Sequence, residues 1–163
     1  FTERTRHYRN FQVIFEKDSR AGIWTEWAPP LAILEPGLAV GQRKEVSGVM
    51  KVGAGNGVTS TIRLSGSMHV AVNERVTTPA GTFDTVRFDV SVSGSGRDSA
   101  APSGWISASV RHRIWYAWRV GVWVAWEEER RENGRRVEAV TRELTAYDMA
   151  SAPHGSQLAG ATR

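Results

Sequence analysis

Apolar and polar residues alternate along most of this chain with a period of two, the spacing that sends successive side chains to opposite faces of a β-strand. From Asp84 to Ser93, Val86, Phe88, Val90 and Val92 fall on one side and Thr85, Arg87, Asp89, Ser91 and Ser93 on the other. From Trp105 to Trp118, Ile106, Ala108, Val110, Ile114, Tyr116 and Trp118 oppose Ser107, Ser109, Arg111 and Arg113. Met68, Val70 and Val72 form a third apolar row, and Val58, Ile62 and Leu64 a fourth.

Turn chemistry punctuates these runs. Asn56-Gly57 and Asn133-Gly134 are dipeptides that suit type I′ hairpin turns, in which both central residues take positive φ. Ser65-Gly66, Pro79-Ala80-Gly81 and Gly121 read as further breaks. Short links of this kind favour antiparallel neighbours, because parallel pairs need long crossovers. Glu127 to Arg142 alternates charge around Asn133-Gly134 and is expected to be a hairpin with charged rungs; the competing reading is one solvated helix. Two stretches read as irregular: Ala28 to Gly37, with Pro29, Pro30 and Pro36, and Gly94 to Gly104, which looks like a long loop. The pattern therefore predicts an all-β fold: a curved, mainly antiparallel sheet of about eight strands, forming a half-barrel or open barrel. Residues 1–147 are expected to form one domain, and 148–163 a polar tail too small and polar to bury much.

Composition changes this picture little. The chain has 163 residues, 40% hydrophobic and 23% charged, which suits one globular domain. The formal charge is +4, and only Lys17, Lys44 and Lys51 are lysines, so arginine supplies the rest. Coding bias or an anionic partner would each give that surplus, and the net charge is that of an ordinary domain. Without cysteine there are no disulfides, no thiolate metal sites and no cysteine nucleophile. No run approaches the roughly 20 apolar residues of a membrane-spanning helix.

One block carries a resemblance. Val76-Thr77-Thr78-Pro79-Ala80-Gly81-Thr82-Phe83-Asp84-Thr85-Val86 resembles the V-x-x-P-A-G-T-F-D-T strand-turn-strand of many uncharacterised bacterial envelope proteins. Trp115-Tyr116-Ala117 followed by Gly121 is similar to their W-Y strand end, and Pro29-Pro30-Leu31 with Leu38 and Val40-Gly41 to their lead-in. Trp118 departs from the proline or aspartate often found after the W-Y-A block. The resemblance spans roughly Trp24 to Tyr147. It implies a curved antiparallel sheet similar to the lipoprotein-carrier half-barrel, and a periplasmic, outer-membrane-associated or extracellular setting. A signal peptide, if one precedes Phe1, lies outside this sequence. The resemblance brings no catalytic residues with it. From the residues themselves, Pro79 and Gly81 preset the turn and Phe83 returns the chain to a strand beside the core.

Candidate chemistry is sparse. Seven tryptophans are many for this length, and Trp105, Trp115, Trp118, Trp123 and Trp126 cluster. Strand parity puts Trp115 and Trp118 on opposite faces, and Trp123 and Trp126 likewise, so both faces of that hairpin are aromatic and one needs a cover. With Arg111 and Arg113 alongside, the expected site is a protein–protein interaction surface made of Trp115, Trp118, Trp123, Trp126, Arg111 and Arg113. The alternative is an apolar ligand, such as a lipid, in the concavity of the sheet, against Val86, Phe88, Val90, Val110, His112, Ile114 and Tyr116. The partner is expected to be another subunit, reached through the aromatic hairpin or the termini. Nucleic acid is not expected, because Glu127, Glu128, Glu129 and Glu132 offset the nearby arginines. His112 is read as a core or rim residue, and His7, His69 and His154 are too scattered for a metal site. Gly53 to Gly57 lacks the lysine of a phosphate loop, and no Gly-x-Ser-x-Gly elbow is present. No nucleophile–base pair stands out. The expectation is a non-catalytic interaction or structural module without cofactor or metal.

Overall fold

The computed structural model of the chain describes residues 4–9, 12–18, 22–35, 37–54 and 57–147. The fold is all-β. Nine strands follow one another in a single sheet in chain order. They are β1 (Arg4–Arg9), β2 (Gln12–Asp18), β3 (Ile23–Ala32), β4 (Arg43–Ala54), β5 (Gly57–Thr78), β6 (Gly81–Asp98), β7 (Trp105–Ala117), β8 (Val122–Glu132) and β9 (Arg135–Glu143). Every neighbouring pair is antiparallel, as short connections require. Among the described residues no helix is long and apolar enough to cross a membrane.

The sheet curves without closing, since no ladder joins β1 to β9. At one end the β5–β6 turn reaches the chain beyond β9, where the Ala80 N–H donates to the Leu144 carbonyl at 3.1 Å. Tyr147 then crosses behind that turn, its hydroxyl 3.3 Å from the Val120 carbonyl and its ring edge-on to Phe83. Three glycines permit the bend. A Cβ on Gly94 would lie 1.9 Å from the Arg63 carbonyl oxygen, and one on Gly96 or Gly66 would meet Thr61 or Ser91 equally closely. Glycine is what a strand needs where another backbone approaches so near.

The concave face is the core. Met50, Ile62, Leu64, Met68, Val70, Phe88, Val90, Val92, Ile114 and Trp126 are almost wholly buried there. Each such side chain contributes about 1.5–3 kcal/mol when removed from water. The rows read across the strands follow from register: Met68, Val90, His112 and Glu128 are successive partners, as are Val70, Phe88, Ile114 and Trp126.

Several expectations need correction. The proline segment does not break the sheet: β3 runs through Pro29 and Pro30 with β2 and β4 on either side. Both prolines lie where β3 is out of register with β2 and past its last partner on β4, Ala28 with Val49, so no ladder hydrogen bond is lost. Irregular chain begins only at Ile33. Gly66 is inside the 22-residue β5 and not a break, and Gly94 to Asp98 is strand and not loop, leaving a connection of 99–104. These glycines serve curvature, not turns. Asn133 and Gly134, at φ 48° and 77°, make the expected hairpin turn. Asn56 and the tail at 148–163 lie outside the described residues.

Candidate functional site

The aromatic hairpin divides its tryptophans differently from the parity of the sequence. The β7–β8 register shifts between Trp115 and Tyr116, pairing Tyr116 with Trp123 and Ile114 with Trp126. This bulge brings the Trp123 and Trp126 rings to 5.2 Å, so the two pack together and do not face apart. Trp126 is fully buried in the core. Trp118 follows the end of β7 and leans inward on Tyr116 and Phe88, with centroids 4.4 and 6.2 Å away. Trp118 and Trp123 nevertheless remain 42% and 37% exposed, forming an aromatic rim at this end of the sheet.

Trp115 is on the outer face. Its indole N–H donates to Glu74 at 2.7 Å, and Glu74 also takes Arg87, which forks onto Asp89. Arg113 pairs with Glu127, and Arg111 is exposed beside Glu129. The Glu129 carboxyl is held below its ordinary range, first by the hydrogen bond from Arg131, which outweighs the opposing effect of desolvation, and then by the charges of Arg131, Arg111 and Arg136. Of the six residues expected to make the interaction surface, Trp118 and Trp123 sit together on the rim, Trp126 is core, and Trp115, Arg111 and Arg113 belong to the outer charge ladder.

The alternative set lies inside. Phe88, Val90, Val110, His112, Ile114 and Tyr116 are buried and Val86 packs against their cluster. They fill the middle of the concavity with their own side chains. Burial pushes the Tyr116 hydroxyl up from its ordinary value.

Open space lies further along the same concave face. A cleft of about 750 Å³ separates β3–β7 from β8–β9. One wall is mainly apolar: Ile23, Val52, Ile62 and Ile106, with Thr59, Ser60, Asp98 and Ala100 at its margin. The other presents Val137 and Val140 among Arg130, Glu132, Glu138 and Arg142. None of the seven residues of the alternative set lines it.

The charged wall follows from strand parity that continues inward from Trp126. Residues 126, 128, 130 and 132 share a face, so every second member of the Glu-Glu-Glu-Arg-Arg-Glu run points in. Arg130 donates to Glu132 at 2.7 Å, yet its Nε is buried with no hydrogen-bond partner among the described residues. Deeper in, Glu128 stands 4.0 Å from His112 Nδ1 and 3.8 Å from Arg142. Among the described residues no group of three or more metal-ligating side chains is assembled. The hairpin with charged rungs expected over Glu127–Arg142 is present, but its rungs are not all solvent-facing. The parity with Trp126 was the signal that half of it faces inward.

No family model matches this chain, and no curated protein or solved structure matches it either.

Proposed function

We propose that this chain is a non-catalytic binding module whose ligand, an apolar or amphipathic molecule, lies in the concave cleft between β3–β7 and β8–β9. The observation that carries this reading is the cleft itself: about 750 Å³ of space on a face otherwise filled by side chains. That volume is in the range of small-molecule sites, which pair mostly apolar walls with a few polar groups. Ile23, Val52, Val137 and Val140 would hold the apolar part, and the guanidinium of Arg142 on the charged wall would meet an acceptor on the ligand. This is a ligand in the concavity of the sheet, but displaced from Val86, Phe88, Val90, Val110, His112, Ile114 and Tyr116 toward the ends of β4, β5 and β9.

The test is titration with 1-anilinonaphthalene-8-sulfonate, an apolar ring system with one anionic group. Saturable binding that weakens about tenfold or more in Val140→Trp, a half-buried position where the larger ring fills the cleft, is the expected result. Absence of saturable binding, or binding untouched by Val140→Trp in a folded variant, overturns the reading.

A second reading has its own support. Trp118 and Trp123 form a half-exposed aromatic rim, and tryptophan dominates protein contacts. On this reading the rim is a docking surface for another subunit. The envelope or extracellular setting belongs to the proposal as well and rests on the sequence resemblance.

A further inference from the structure

The outer face of the sheet carries a second concavity, back to back with the cleft. Ile62, Gly96 and Ile106 point inward at the ends of β5, β6 and β7; their neighbours Thr61, Arg63, Ser95, Arg97 and Trp105 point outward. The outward set lines a groove of about 230 Å³, with Val49 at its far side. Thr61, Arg97 and Trp105 are successive partners in one row, and Arg63 and Ser95 are partners in the next.

Three features distinguish this groove from the rest of the outer face. Trp105 is 57% exposed, the most open of the large apolar side chains among the described residues. Its backbone is fixed, since the Ser103 hydroxyl bridges the Trp105 amide and carbonyl at 3.3 and 3.1 Å. Arg63 and Arg97 make no ion pair or side-chain hydrogen bond with any described residue, whereas Arg75, Arg87, Arg113, Arg130 and Arg131 are each paired with a carboxylate. The glutamates of β8 therefore do not offset these two cations: they are engaged elsewhere on the sheet. Thr61 and Ser95, the register partners of Arg97 and Arg63, also line the groove; both are small and able to donate hydroxyl hydrogen bonds.

We propose that this groove binds a phosphate monoester that carries a ring, the ring laid on the Trp105 indole and the phosphate held by Arg63 and Arg97. An exposed indole offers a face on which a base or sugar ring can lie. Paired arginines fit the oxygens of a phosphate through their planar forks. The chemistry could come from a nucleoside monophosphate or from a sugar phosphate. It is independent of the cleft, on the opposite face.

The test is an NMR titration of the full chain, read at the Trp105 indole N–H and at the backbone amides of Thr61 and Ser95, which also report on Trp105→Ala, with adenosine monophosphate, glucose 1-phosphate and inorganic phosphate as separate probes. The expected result is saturable binding of one of the two ring phosphates at or below about 1 mM. It should weaken at least about tenfold in Trp105→Ala and in the Arg63→Gln/Arg97→Gln double variant, and stay unchanged in Val140→Trp. Preference for the nucleotide assigns a base as the ring, and preference for the sugar phosphate assigns a sugar. Equal binding of inorganic phosphate overturns the proposal, because the ring then contributes nothing. So does binding that survives both variants, or no binding by either ring phosphate. All three substituted residues are exposed, so the variants are expected to keep the fold.

Discussion

His112 and Glu128 stand opposite one another across the β7–β8 ladder, Nδ1 4.0 Å from Oε2, with side chains only 2% and 5% exposed. They mark the line where the concave face changes character. On the β4–β7 side it is apolar; on the β8–β9 side Glu128, Arg130, Glu132, Glu138 and Arg142 point in. A carboxylate this deep is tolerable only beside partners, and Arg142 at 3.8 Å is the second one. Removing one member strands the others. Glu128→Leu is expected to destabilise the fold by about 3 kcal/mol in urea unfolding, and His112→Leu/Glu128→Leu by less than the sum of the single changes. Additive losses would mean that the two side chains do not interact.

The aromatic residues should separate by location. Trp126→Ala empties a fully buried site and is expected to lose about 3–5 kcal/mol. Trp105→Ala, on the outer face, should change stability by no more than about 0.5 kcal/mol. Equal losses at the two positions would contradict the inward and outward assignment of these strands.

Curvature depends on absent side chains. In Gly94→Ala the new methyl meets the Arg63 carbonyl oxygen, which is backbone and cannot swing aside. The expected loss is about 3 kcal/mol, the upper end of overpacking effects, against less than about 0.5 kcal/mol for the exposed neighbour in Ser95→Ala. Thermal unfolding of the two variants side by side reads the difference.

Alkaline titration tests Tyr116. Burial raises its hydroxyl above the ordinary 10.0, so above that pH the unfolded chain has released a proton that the folded chain retains. The contribution is fully present below the unfolded value and is lost as pH rises through the folded one. Urea midpoints should therefore fall as pH is raised past 10.0, and Tyr116→Phe should flatten the fall. The same slope in wild type and Tyr116→Phe would place the effect elsewhere. Glu129, lowered chiefly by its hydrogen bond from Arg131, works at the opposite limit: its contribution is present above the ordinary carboxylate value and fades as acid protonates it.

Much of the fold was legible in the sequence because strand alternation is strong where one face is buried. Val86, Phe88, Val90 and Val92 predict β6 and its inward face, and Pro79-Gly81 and Asn133-Gly134 mark their turns. Three features were hidden, each for a physical reason. Gly66, Gly94 and Gly96 look like breaks because glycine serves both turns and close backbone approach, and only the neighbouring strand decides which. The bulge between Trp115 and Tyr116 moves Trp123 beside Trp126, a one-residue shift that composition does not announce. The cleft depends on how far the sheet curls, which sets Ile23 of β3 opposite Val137 of β9; alternation tells which residues share a face but not which distant strands that face will meet.

The central claim is that the concave face is filled at Phe88, Val90 and Ile114 and open at Ile23, Val52, Val137 and Val140. Methyl-resolved NMR of the chain titrated with 1-anilinonaphthalene-8-sulfonate tests it most directly. The account predicts saturable shifts of the Ile23, Val52, Val137 and Val140 methyls while those of Val90 and Ile114 stay still. Shifts concentrated at Val90 and Ile114, or at the Trp118–Trp123 rim with the Val52 and Val140 methyls unmoved, would contradict it.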